Sequence, residues 1–162
     1  MRSRTAIWFE CKIRYEKVME DGLQKKVTET YAVDALSYSE AEGRIIKEMS
    51  SYISGEFEVD KITKAAYKEV FFDEPGDGDR PADRFYRAKL DFITIDEKTE
   101  KEKKSRVTYL VQAASLKSAL KGIEEVMGGT MIDYDAAAIT DTKLMDVFEY
   151  KKSDKEDKPE YE

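Results

Sequence analysis

The feature that most constrains the fold is an alternating stretch that occurs twice. Residues 8–15 read Trp-Phe-Glu-Cys-Lys-Ile-Arg-Tyr, and residues 85–92 read Phe-Tyr-Arg-Ala-Lys-Leu-Asp-Phe. Alternation of apolar and polar side chains marks a strand with one buried face. In the first stretch Phe9, Cys11, Ile13 and Tyr15 share the inward face, and Trp8, Glu10, Lys12 and Arg14 the outward one. In the second, Tyr86, Ala88, Leu90 and Phe92 point inward.

The segments after the two stretches are also alike. Residues 16–26, with Asp21-Gly22 at their centre, read as a hairpin loop. Val27, Glu29, Tyr31, Val33 and Ala35 then alternate as a second strand. Ser37 with Glu40 forms a capping box that opens a helix. Its apolar stripe is Ala41, Ile45, Met49 and Tyr52, broadened by Ile46 and Ile53. Residues 57–72 predict one long strand bent or bulged near Ile62, or two short ones. In the second half, residues 96–106 form a charged loop, and Val107, Tyr109, Val111 and Ala113 a strand. Ser115 caps a helix with Leu116, Leu120, Ile123 and Met127 on its stripe, closed by Gly128-Gly129 in a left-handed turn. Residues 132–150 hold the last strand region.

Residue 15 matches 92, 31 matches 109 and 71 matches 148, offsets of 77, 78 and 77. The expected fold is therefore α+β, built from two internally duplicated β-β-α-β units about a pseudo-twofold axis. Its sheets are antiparallel, with both helices packed on one side. The units span residues 1–72 and 85–150. Between them, residues 73–84 hold two prolines and two glycines among charges, a linker unable to bury apolar surface. Residues 151–162 are a charged tail expected to be disordered.

Composition narrows the chemistry more than the fold. The chain has no histidine, which removes the commonest general base and metal ligand. Its one cysteine, Cys11, rules out an intramolecular disulfide and suits a reducing compartment. No apolar run is long enough to span a bilayer, and the basic N-terminal residues lead straight into a strand rather than a signal sequence. Twenty-eight basic against 35 acidic residues give a net charge of -7, a poor default for nucleic acid.

Three groups of residues remain as sites. Trp8 and Phe85 hold matching outward positions. They mark an interface or ligand surface, with Lys12 and Arg14 beside Trp8, or else cover the sheet edge or meet each other across the axis. Lys98, Lys101, Lys103, Lys104 and Arg106 cluster on the second hairpin and Lys17, Lys25 and Lys26 on the first, and with the aromatics these could grip single-stranded nucleic acid, although Glu97, Glu100 and Glu102 dilute the charge. Asp133 and Asp135 share a face if extended and could hold Mg²⁺. Cys11, between Phe9 and Ile13 on the inward face, reads as core rather than nucleophile. Gly128-Gly129 comes after a helix C-terminus, the wrong end for a phosphate.

The run from Trp8 through Lys17, the run Ile53-Ser54-Gly55-Glu56-Phe57-Glu58-Val59 and the run from Glu125 through Tyr134 resemble domain of unknown function 4494, over residues 1 to about 150. The resemblance implies a cytoplasmic protein of Bacteroidetes bacteria or of their phages and mobile elements. It carries over no catalytic residue. The expected function is a non-enzymatic binding or interaction protein without a cofactor, capturing a protein or nucleotide-like ligand, in host takeover or counter-defence, and able to form a homo-oligomer. The alternatives are a single-stranded nucleic-acid-binding accessory protein and a Mg²⁺-dependent phosphate-processing enzyme.

Overall fold

The structure, a computed structural model, describes residues 1–76 and 78–150. The expected tail at 151–162 lies outside these. The fold is α+β, with two sheets and one long helix on each. In order the elements are β1 (Arg2–Arg4), β2 (Trp8–Val18), β3 (Gln24–Asp34), α1 (Tyr38–Tyr52), β4 (Phe57–Lys64), β5 (Glu69–Phe72), β6 (Arg84–Ile95), β7 (Glu102–Ala113), α2 (Leu116–Gly128), β8 (Asp133–Asp141) and β9 (Leu144–Phe148).

The strands sort into two compact units that are not contiguous in sequence. One unit comprises Met1–Ala6 and Ala66–Lys143 and holds a five-stranded sheet in the order β1-β5-β7-β6-β8. The other comprises Ile7–Ala65 and, among the described residues, 144–150, and its four-stranded sheet runs β4-β2-β3-β9. The five-stranded sheet thus takes β1 and β5 from the first half of the sequence, and the four-stranded sheet takes β9 from the second. The expected single strand region at 57–72 divides between sheets, β4 in one and β5 in the other. Residues 132–150 divide in the same way into β8 and β9.

Neither β5 nor β9 is joined to its partner by a tight turn, and each pairs parallel: β5 with β7, and β9 with β3. The remaining pairs are antiparallel. The edge strands β4 and β8 each carry a bulge. Register shifts between Lys12 and Ile13 leave Asp60 unopposed, and shifts between Lys89 and Leu90 leave Ala137 unopposed.

Residues 73–84 do not join the units; both ends of this stretch belong to the five-stranded one. Gln112 grips the stretch at two places. Its Oε1 accepts from the Asp73 amide at 3.0 Å and its Nε2 donates to the Ala82 carbonyl at 3.0 Å. The hairpin loops are shorter than expected, because charged side chains on a wet face do not end a strand. β2 and β3 pair out to Val18 and Gln24, and β6 and β7 to Ile95 and Glu102.

Both helices begin as their serines direct. Ser37 Oγ accepts the Glu40 amide at 3.1 Å, and Glu40 reaches back to the Leu36 amide. Ser115 Oγ accepts the Ser118 amide at 3.2 Å. Ala41, Ile45 and Met49 of α1 are buried against Phe9, Cys11, Ile13, Val33 and Phe148. On α2 the buried stripe is Ala119, Gly122, Ile123 and Met127, while Leu116 and Leu120 face outward. The helix thus sits on the sheet by its small residues, about one position round from its leucines. Gly129 at the end of α2 is right-handed, with φ −80°, so this cap needs no glycine-specific geometry.

Candidate functional site

The four-stranded unit has an uncovered portion on its helix-bearing face, and element lengths explain it. Helix α1 has 15 residues, about 22 Å at 1.5 Å per residue. β2 and β3 have 11 residues each, about 36 Å at 3.3 Å per residue. The helix starts just past the end of β3, so it covers the Asp34 end and stops short of the hairpin. Tyr15, Glu29, Tyr31 and Asp146 lie on this face and are half-buried, Tyr15 and Tyr31 packing against the edge of the core that the helix covers.

The rings there form a short ladder. Tyr31 stacks on Phe148 with centroids 5.6 Å apart and planes at 16°. Tyr52, the last residue of α1, stacks on the same Phe148 at 6.2 Å and 29°. Tyr52 remains 69% exposed, so one end of the ladder is open to solvent. Beside it, Tyr15 and Phe57 line a hollow of about 660 Å³ whose rim includes Arg14, Glu16 and Lys26.

Carboxylates complete the face. The Tyr15 hydroxyl donates to Glu29. Burial and then that hydrogen bond push the Tyr15 phenol up to about 12. Burial and the Glu29 charge raise the Tyr31 phenol further still, so both tyrosines stay neutral donors at ordinary pH. Asp146 pairs in register with Tyr31 across β9 and β3. Burial raises its carboxyl, opposed in part by the Val147 amide at 2.8 Å. Among the described residues neither Glu29 nor Asp146 has an ion-pair partner. The last turn of α1 has no basic residue, which leaves its partial negative charge uncompensated. Lys17 and Lys25, paired across the hairpin, bound the face on the side of the turn.

The residues singled out from the sequence fall elsewhere. Trp8 and Phe85 are not exposed: Trp8 is 0% and Phe85 3% accessible. The alternation correctly puts them opposite the helices. Both sheets, however, are covered on both faces at the end where β2 and β6 begin, as the fully buried Ala32-Val33-Asp34 and Leu110-Val111 also record. Phe85 meets the edge of Phe72 at 6.5 Å. Lys12 is exposed, and Arg14 pairs with Glu58 at 3.3 Å and Asp60 at 3.2 Å.

In the five-stranded unit Lys101 and Lys103 are exposed. Lys104 lies 3.5 Å from Asp135, and Arg106 forks onto Asp91 at 2.9 and 3.2 Å. That fork holds the Asp91 carboxyl below its usual range. Asp133 and Asp135 are exposed, and among the described residues no three His, Cys, Asp or Glu side chains are grouped to hold a metal. Cys11 is buried, and burial followed by the Glu10 charge pushes its thiol up to about 12.

The sequence held one signal for the aromatic face. Glu29 interrupts the apolar alternation Val27, Tyr31, Val33, and a carboxylate on a core-facing row calls for a reason. Asp146 breaks the inward row of the last strand in the same way.

The profile of the family described as a domain of unknown function (DUF4494) matches residues 7–150. The chain belongs to this family. No curated protein and no solved structure matches this DUF4494 chain. No helix among the described residues is long and apolar enough to cross a membrane.

Proposed function

We propose that this DUF4494 chain is a non-enzymatic binding protein that holds a protein partner on the aromatic face of its four-stranded unit. The open ladder Tyr31, Phe148 and Tyr52 carries this reading. Half-exposed tyrosines on a rigid sheet offer large contact area at small entropic cost, and such rings anchor interfaces. Chemistry on a substrate finds less support. The single thiol is buried and far from forming a thiolate, and the two tyrosines beside Glu29 are held in their neutral form.

The test is native mass spectrometry of the protein purified from its own host, comparing wild type with Tyr52→Ala. Tyr52 is exposed, so its removal leaves the core intact. The expected result is a bound mass on wild type that the variant has lost. An equal bound mass on the variant, or none on wild type, overturns the reading.

A further inference from the structure

We propose that this face recognises a primary ammonium group, that of a lysine side chain on the protein partner. The inference rests on the reading of the face as a binding site and names the chemistry it accepts.

The five-stranded unit shows what the four-stranded one lacks. In the former, β5 lies parallel to β7 with Glu69 in register with Tyr109. In the latter, β9 lies parallel to β3 with Asp146 in register with Tyr31. Each tyrosine belongs to an aromatic group. Tyr109 meets Phe71 at 5.1 Å and Phe92 at 6.4 Å, as Tyr31 meets Phe148. In the five-stranded unit the residue before Glu69 is Lys68, whose ammonium lies 5.5 Å from the centre of the Phe92 ring. The aromatic group there has a cation of its own. In the four-stranded unit the residue before Asp146 is Met145, 51% exposed and uncharged. Where β7 has Val107, two positions before its tyrosine, β3 has Glu29.

Beside its rings the four-stranded face therefore has one more carboxylate and lacks the counterpart of Lys68, its own lysines Lys17 and Lys25 lying further out at the turn. Among the described residues no Lys or Arg lies over Tyr15, Tyr31 or Tyr52. Glu29 and Asp146 are half-buried and have no ion-pair partner. A half-buried carboxylate that has lost part of its hydration gains from a counter-charge brought by a ligand. Ring faces attract the same charge, and so does the C-terminal end of α1. An ammonium suits this set better than an anion or a neutral group, since the charges nearest the rings, Glu29, Asp146 and the C-terminal end of α1, are negative, while Lys17 and Lys25 stand at the turn.

The test is a titration of isotopically labelled protein with Nα-acetyl-lysine methylamide, following the ring signals of Tyr15, Tyr31 and Tyr52. Saturable shifts are expected, absent with the uncharged Nα,Nε-diacetyl analogue. Asp146→Asn and Glu29→Gln should each weaken binding at least about tenfold, the effect of losing one charged hydrogen bond. Met145→Lys, at an exposed position, supplies the face with a cation of its own and should block the probe. Equal shifts with the diacetyl analogue, or unchanged binding in Asp146→Asn and Met145→Lys, overturn the proposal. Spermidine binding more tightly than the lysine probe would overturn the assignment to a protein-borne lysine. If Tyr52→Ala loses the bound mass in native mass spectrometry while Asp146→Asn keeps it, the binding face stands and the ammonium assignment falls.

Discussion

The end of β9 is held to β3 by a buried polar latch, and removing it should cost far more than removing its counterpart in the other unit. Asp34 is 4% exposed, and its Oδ1 accepts from the Tyr150 amide at 2.7 Å and from Arg44 Nη1. The Arg44 side chain is largely covered, with only 13% exposed. It donates also to the Asp34 carbonyl and faces the Tyr150 ring at 5.3 Å. Its Nη2 is buried without a hydrogen-bond partner.

Asp34→Ala removes the counter-charge and leaves the guanidinium buried, which costs about 3–5 kcal/mol. The lost bond to the Tyr150 amide adds about 1 kcal/mol. Gln112 makes the corresponding contacts in the five-stranded unit with a neutral amide, so Gln112→Ala loses two ordinary hydrogen bonds, about 2 kcal/mol. Urea unfolding followed by circular dichroism should rank Asp34→Ala well above Gln112→Ala. The double variant Asp34→Asn/Arg44→Met, which removes both charges, should recover much of the loss. Equal costs for Asp34→Ala and Gln112→Ala would refute the reasoning, because the difference rests wholly on the buried guanidinium.

Three further outcomes arise from the same geometry. The Asp146 carboxyl is raised by burial, so the fold favours its protonated form. The stability it contributes is complete below the ordinary carboxylate range and is lost as pH rises through the raised value. Asp146→Asn should therefore match wild type in melting temperature near pH 3 and exceed it at pH 7. Cys11, with its thiol at about 12, should react with Ellman's reagent only as fast as the protein unfolds, and a rapid native-state reaction would contradict its burial. Since Lys104 and Arg106 are paired with carboxylates, Lys98, Lys101 and Lys103 are the cations of that hairpin cluster left to meet a phosphate. Any binding of oligothymidylate through this hairpin should have a log–log salt slope no steeper than about −2.1, and a slope of about −3.5 or steeper would restore the nucleic-acid reading.

Period and capping were legible in the sequence because both are local. The rows Phe9-Cys11-Ile13 and Tyr86-Ala88-Leu90 face the core as their alternation predicts, and Ser37 and Ser115 start the helices. Which sheet a short strand joins is not local. Val70-Phe71-Phe72 and Val147-Phe148 are apolar enough for either sheet, and only the tertiary arrangement sends each to the opposite half of the chain. Proline and glycine marked residues 73–84 as a loop correctly, but composition cannot say that Gln112 fastens both ends of that loop within one unit. On α2, leucines suggested a stripe that the structure rotates away: Ala119, Gly122, Ile123 and Met127 are buried instead, and the bare Gly122 leaves room for the Met1 side chain.

The site was hidden for a related reason. Trp8 and Phe85 drew attention as large aromatics on a polar row, yet a polar row says only that most of that face is wet. At the strand ends it is dry. The informative positions were those where the two halves of the chain diverge in charge at matching register: Glu29 against Val107, and Met145 against Lys68. A fold that needed only a core could keep valine in both places. A half-buried carboxylate at Glu29 without a cation costs stability that a valine avoids, the Tyr15 hydroxyl offsetting part of it, and on the proposed reading a ligand offsets the rest. Substituting Glu29→Val should on this reasoning stabilise the protein while ending recognition of the ammonium probe. A loss of stability on that change would mean that the glutamate serves the fold instead.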